Sequence, residues 1–172
     1  MKTKLFLMVY LGLIAAGAAS AAPADKPASP VEVTFIAPEK FTDAKQDAMD
    51  SERGRNALLG ELKEHLVTQA AKYVAPGQQL EIKVTDVDLA GEFEPQRGPD
   101  FNNIRIVKEI YPPRVNLEFR LRGADGKVVS EGKRQLRKLD YLLSVALPTS
   151  DHLRYEKEML SDWLRKEFKR AS

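Results

Sequence analysis

One stretch, Val115 to Leu139, restricts the possible folds of this chain more than any other. Val115, Leu117, Phe119 and Leu121 alternate with Arg114, Asn116, Glu118, Arg120 and Arg122. That period of two suits a strand with one covered and one wet face. Gly123-Ala124-Asp125-Gly126 then supplies a turn, because Asp-Gly accepts positive φ between two such runs. Lys127 to Leu139 returns as the partner strand and carries the strongest basic cluster of the chain, Lys133, Arg134, Arg137 and Lys138. A lone hairpin is marginal in water, so its apolar face requires cover from elsewhere in the chain.

The phase of the returning strand decides where its arginines point. With Asp125-Gly126 at the tip, Leu121 lies opposite Val128, which puts Val128, Ser130, Gly132 and Arg134 on the covered side. A bulge at Glu131-Gly132 would instead turn Arg134 outward and Lys133 inward. In the first register Arg134 needs a carboxylate partner, since an unpaired buried charge is costly. An arginine held that way also suits a carboxylate or phosphate ligand.

The chain begins with a segment that does not read as fold. Met1 to Lys4 is a short basic start, Leu5 to Ala19 is apolar, and Ala19-Ser20-Ala21 is an Ala-x-Ala cleavage pattern. Together they predict a signal peptide over 1–21, cut after Ala21. The apolar run is shorter than the ~20 residues of a membrane span, so no stable membrane insertion is expected after cleavage. Residues 22–30, with prolines at 23, 27 and 30, read as a flexible tether, and 31–170 as a single domain. Removing Lys2 and Lys4 from the 27 basic residues leaves 25 against 25 acidic ones. A neutral exported domain has no global field to attract nucleic acid. With no cysteine in the chain, its stability must come from the core alone.

Further elements follow from pattern. Val31 to Ile36 reads as a first strand ended by Pro38, and Ser51 to Val74 as an amphipathic helix stopped by Pro76-Gly77. Leu58, Leu59, Leu62, Leu66, Ala70 and Tyr73 form its apolar stripe. Gly54 and Gly60 inside it imply close packing on a sheet, since glycine weakens a helix. Leu80, Ile82 and Val84 start another strand, whose apolar phase slips to Val87 and Leu89 and predicts a bulge near Thr85-Asp86. Ile104 to Ile110 is a short strand, and the apolar run Leu142 to Leu147 leads to Pro148. A final helix is predicted from Ser150 to Lys169, capped by Ser150 or Asp151, with Leu153, Leu160, Trp163, Leu164 and Phe168 on its apolar face. The order β-α-β-β-β-β-α predicts an α+β fold. It comprises one mixed, largely antiparallel sheet of about five strands, with two helices on one face. The other face stays open to solvent or a partner.

No residue set carries a recognisable chemistry. His65 and His152 have no second histidine or cysteine at ligand spacing, so no metal or cofactor is expected, and His65 reads as a solvated helix position. Asp43, Asp47 and Asp50 lack the spacing and glycine of a calcium loop and suit a helix entry better. Asp86, Asp88, Glu92 and Glu94 share one phase and suggest an acidic edge. Ser144 and Ser161 lack a nucleophile elbow.

Val31-Glu32-Val33 with Pro38-Glu39-Lys40-Phe41-Thr42-Asp43, and Leu153-Arg154-Tyr155-Glu156-Lys157 with Trp163, carry a resemblance over most of the mature chain. The chain resembles an uncharacterised family of small exported proteobacterial proteins, grouped as a domain of unknown function. The resemblance implies a periplasmic location and supplies no activity.

The leading functional reading is a periplasmic binding or interaction module that uses its solvated sheet face and the loop 91–103. Arg134, Arg120, Arg122, Arg97 and Phe101 are its candidate binding residues, and its partner is a protein or small molecule of the cell envelope. Two other classes stand beside it. One is a small enzyme using Asp43, Asp47 or Glu52 with an arginine in one concave pocket. The other is a chaperone-like strand acceptor, which requires an edge strand free of prolines and inward charges.

Overall fold

The computed structural model describes residues 29–98, 101–143 and 150–169. The expected leader, most of the tether and the end of the apolar run before Pro148 lie outside the described residues. The elements are Val31–Phe35 (β1), Glu52–Ala70 (α1), Gln79–Asp88 (β2), Glu92–Phe93 (β3), Arg105–Ile106 (β4), Arg114–Arg122 (β5), Val128–Arg137 (β6) and Arg154–Phe168 (α2). The main sheet has the order β1-β2-β5-β6. β1 runs parallel to β2, while β2–β5 and β5–β6 are antiparallel, so the sheet is mixed as the pattern implied.

The sheet has four strands where about five were expected, because the segment 104–110 leaves it. Only Arg105 and Ile106 are extended, and they pair with Glu92 and Phe93 in a separate two-stranded ribbon. Arg105 explains the departure. Its guanidinium lies 4.5 Å from the centroid of the Phe93 ring and donates to Asp43, which fixes β4 beside β3.

Apolar residues of one sheet phase meet both helices in a single core. Val33, Leu80, Ile82, Val84, Val87, Val115, Leu117 and Phe119 pack with Leu58, Leu62 and Leu66 of α1 and with Leu160, Trp163 and Leu164 of α2. Phe119, Trp163 and Phe168 form an aromatic cluster with centroids 5.4–5.9 Å apart. The phase slip in β2 is real. Val84 faces Leu117 and Asp86 faces Asn116, leaving Thr85 as the extra residue that keeps Val87 in the core.

Both helices start a little later than their patterns suggest, for local reasons. Ser51 caps α1 through Oγ, which accepts the Gly54 N–H at 3.1 Å. α2 begins only at Arg154, because Asp151 makes its own turn first and accepts the Leu153 N–H at 2.9 Å. The two helix glycines do not touch the sheet. A Cβ at Gly54 would meet Ser51 Oγ and Gln46, and one at Gly60 would meet nothing within 4 Å. A smaller core lies beyond the first, where Tyr141 and Tyr155 pack edge to face with centroids 4.8 Å apart beside Ala90.

Candidate functional site

Because α1 and α2 occupy one side of the sheet, the alternate residues of β2, β5 and β6 form a bare charged face. Charges alternate along it, and its three glutamates each pair with a cation. Glu81 pairs with Lys83 at 2.8 Å, Glu118 with Lys133 at 2.6 Å and Glu131 with Arg120 at 2.8 Å. Hydrogen bonds from Lys83 and Lys133 hold Glu81 and Glu118 below the ordinary glutamate range. These side chains rim a shallow depression of about 300 Å³. Arg122 lies at the hairpin end of this face, where it donates to the Gly126 carbonyl at 3.3 Å. At the opposite end Arg114 and Arg137 stand directly across from each other. Arg114 reaches Asp88 at 3.8 Å.

Arg134 faces the other way, towards α2. Its Nε and Nη2 donate to the two carboxylate oxygens of Glu167, both at 2.7 Å, and its guanidinium lies 5.1 Å from the centroid of Phe119. The carboxylate partner and the covered side agree with the unbulged register. The burial of Arg134 is partial, since its side chain keeps 39% of its surface in solvent and sits at the rim of the core. The register itself shifts at the hairpin end. Leu121 faces Ser130 and Arg122 faces Val128, so Val129 is the extra residue and Val128 leaves the covered side. A bulge does form, but near the tip rather than at Glu131-Gly132.

Arg97 and Phe101 stay together in the loop, with the guanidinium 5.4 Å from the ring centroid. Arg97 also reaches Glu94 at 3.5 Å. Glu94 is buried and takes Lys108 and the Tyr111 hydroxyl, the latter at 3.0 Å, which ties the loop to the ribbon. The five candidate binding residues therefore occupy three places: Arg120 and Arg122 on the bare face, Arg134 on the helix side, and Arg97 with Phe101 in the loop.

The acidic residues disperse as well. Asp43 accepts from Arg105 Nη1 at 2.6 Å and Nη2 at 3.1 Å, and Arg105 also donates to the carbonyls of Gly91 and Lys45. This is a buried structural clamp that joins the 43–45 segment to the ribbon. Asp47 accepts the Met49 N–H and Asp50 pairs with Arg55, both before or at the start of α1. Asp86 holds Thr42, Asp88 faces Arg114 and Glu94 lies in the ribbon, so no continuous acidic edge forms.

His65 is a correction to the solvated reading. Its Nε2 lies 2.9 Å from both the Lys157 carbonyl and Ser161 Oγ, so it stitches α1 to α2, and burial lowers its pKa. Glu61, Asp151 and His152 converge within 4.8 Å. The Lys157 ammonium lies 2.8 Å from Asp151 and 3.6 Å from Glu61, supplying there the positive charge that a metal would bring.

The feature that pattern reading missed is a groove of about 450 Å³ between β6 and α2. Leu136, Met159 and Trp163 form part of its wall, with Arg137 and Lys166 among its charged residues. Lys138 is anchored beside it by Glu158 and Asp162, each at 3.3 Å. Leu136 was the available signal, since it shares the inward phase of Arg134.

Residues 29–166, from the entry of β1 nearly to the end of α2, match the family described as protein of unknown function (DUF3016). The chain belongs to that family. No curated protein and no solved structure is matched. The DUF3016 match spans the sheet, both helices and the ribbon, so the bare face and the groove both belong to the family domain. Among the described residues of this DUF3016 protein, no helix is long and apolar enough to cross a membrane.

Proposed function

We propose that this DUF3016 protein is an exported binding module of the periplasm that engages a protein or small molecule of the cell envelope. One observation carries the reading: helices cover the sheet on one side, while three strands present a fixed array of charges on the other. A rigid surface of that kind costs little ordering entropy on binding. Arg120 and Arg122 lie on this surface, and Arg97 with Phe101 lies on the loop after β3. The Ala19-Ser20-Ala21 pattern supports export, with the mature chain starting at Ala22.

Two measurements test the proposal. N-terminal sequencing of protein from the periplasmic fraction should begin at Ala22, and a chain still starting at Met1 would remove the export step. A photo-crosslinking residue at Lys83 or Arg120 should give a discrete adduct in intact cells that the same residue at exposed Gly60 does not give. Equal labelling from all three positions would overturn the bare face as the recognition surface.

A further inference from the structure

Among the described residues β6 is an edge of the sheet, paired with β5 alone. Lys138 donates its N–H to the Pro113 carbonyl on the β5 side. By alternation, the N–H and C=O groups of Glu131, Lys133, Gln135 and Arg137 point away from β5, to the free edge. Among the described residues none of these four makes a backbone hydrogen bond outside the β5 ladder. Arg134 partly guards this edge, because its Nη1 donates to the Lys133 carbonyl at 2.9 Å. The groups of Glu131, Gln135 and Arg137 are unguarded, and of these residues Gln135 and Arg137 line the groove beneath α2.

We propose that this groove accepts an extended acidic segment of another polypeptide, which adds a short strand to β6 at Gln135–Arg137. The inference deepens the binding-module reading and rests on it, but places the contact on the edge rather than on the bare face. Three features specify the occupant. The free donors and acceptors at Gln135 and Arg137 recognise a backbone in extended form. Leu136, Met159 and Trp163 offer apolar surface to an inward side chain of the added strand. Each carboxylate of the lining has a cation partner, so the charges left over are positive and favour acid. Arg137, Lys138 and Lys166 line the groove with Asp140, Asp162 and Glu167; Asp140 and Asp162 both pair with Lys138, and Glu167 with Arg134. Arg137 and Lys166 are left, among the described residues, with no carboxylate partner. Arg137 is in the outward phase of β6 and Lys166 is on the helix, so carboxylates in either phase of the incoming segment come beside a cation. The inward charge of Arg134 confines addition to the end of the strand, as an edge protected against indiscriminate pairing requires.

The chain has a single tryptophan, Trp163, which is on the groove wall and reports occupancy by its fluorescence. The test uses the mature protein and the fluorescein-labelled peptide Glu-Val-Glu-Val-Glu-Val-Glu. Controls are its Lys-for-Glu counterpart and the same acidic peptide N-methylated at alternate residues. The acidic peptide should raise fluorescence anisotropy and shift the Trp163 emission. N-methylation in one of the two phases should weaken binding about tenfold or more, while the other phase binds normally. The lysine peptide should not bind, and affinity should fall as salt rises. Gln135→Pro removes an outward N–H that the β5 ladder does not use, so the fold should persist while binding is lost. The N-methylated peptides give the same answer without altering the protein, should that variant not fold. Equal affinity for both N-methylated phases and the parent peptide would overturn strand addition. Binding of the lysine peptide would overturn the charge assignment. Concentration-dependent dimerisation abolished by Gln135→Pro would assign the edge to a second copy and overturn the proposal. No peptide binding together with a Lys83 adduct in cells would remove the edge site and leave the binding-module reading standing.

Discussion

Glu156 is the residue whose surroundings depart furthest from its chemistry. It is 1% exposed, its Oε1 accepts the Ala90 N–H at 2.6 Å, and its Oε2 has no hydrogen-bond partner among the described residues. Burial pushes its carboxyl above the ordinary glutamate range, against the smaller pull of that hydrogen bond and of Arg105. The folded chain therefore holds this proton to higher pH than the unfolded chain does. Stability from this group is complete below the ordinary glutamate range and declines as pH rises above it. Glu156→Gln removes the titration, so its melting temperature should fall less than wild type as the pH is raised. The difference should be about 1.4 kcal/mol for each unit by which the native pKa is raised. Parallel curves for the two proteins in thermal melts over a pH series would assign the dependence to another group. Arg134 shows the opposite case, a charge with a good partner at a wet rim. Bidentate geometry favours the pair with Glu167, but solvent screens it. Arg134→Ala should cost about 1 kcal/mol, and Lys133→Ala less than about 0.5 kcal/mol, in denaturant melts. A silent Arg134→Ala would show that Glu167 holds Trp163 through its 3.3 Å hydrogen bond without help from the arginine.

At the scale of elements, periodicity made the helices and the hairpin legible, because each has one covered face and a repeat long enough to read. Val115 to Leu121 alternate with no exception, and all four apolar residues are buried. The Thr85 bulge was legible for the same reason, as a break in an otherwise regular phase. The ribbon was not, because two-residue strands have no period and are held by Arg105 and Glu94 through contacts distant in sequence. The two α1 glycines look alike in sequence and differ only in three dimensions. Gly60→Ala fills open space on an exposed helix position and should stabilise by about 0.5–1 kcal/mol. Gly91 has φ +83, and a Cβ there would lie 2.8 Å from the Ile106 carbonyl oxygen. Gly91→Ala should therefore destabilise by about 1–3 kcal/mol through backbone strain at the ribbon. Comparing the melting temperatures of the two alanine variants checks both, and a shift of the same sign in each would refute this account. In α2, Trp163→Ala should cost about 3–5 kcal/mol, because the 5% exposed indole is seated between Phe119 and Phe168. An unchanged melting temperature would make the helix peripheral.

Across the whole molecule, the candidate sites were less legible than the fold because they are products of tertiary placement. Asp43 and Arg105 are 62 residues apart, and Arg134 meets Glu167 across 33. No local spacing announces such pairs. The groove at β6 likewise exists only once α2 has docked beside the strand. That docking has a consequence in time. Leu160, Trp163 and Leu164 complete the core that begins at Val31, yet they lie on α2, which leaves the ribosome after every other described element. Until they emerge, the β5–β6 hairpin and its neighbours carry uncovered apolar surface, and the unpaired edge of β6 lies beside it. The nascent domain is thus a sticky half-fold that needs shelter, and becomes self-sufficient only once α2 has emerged.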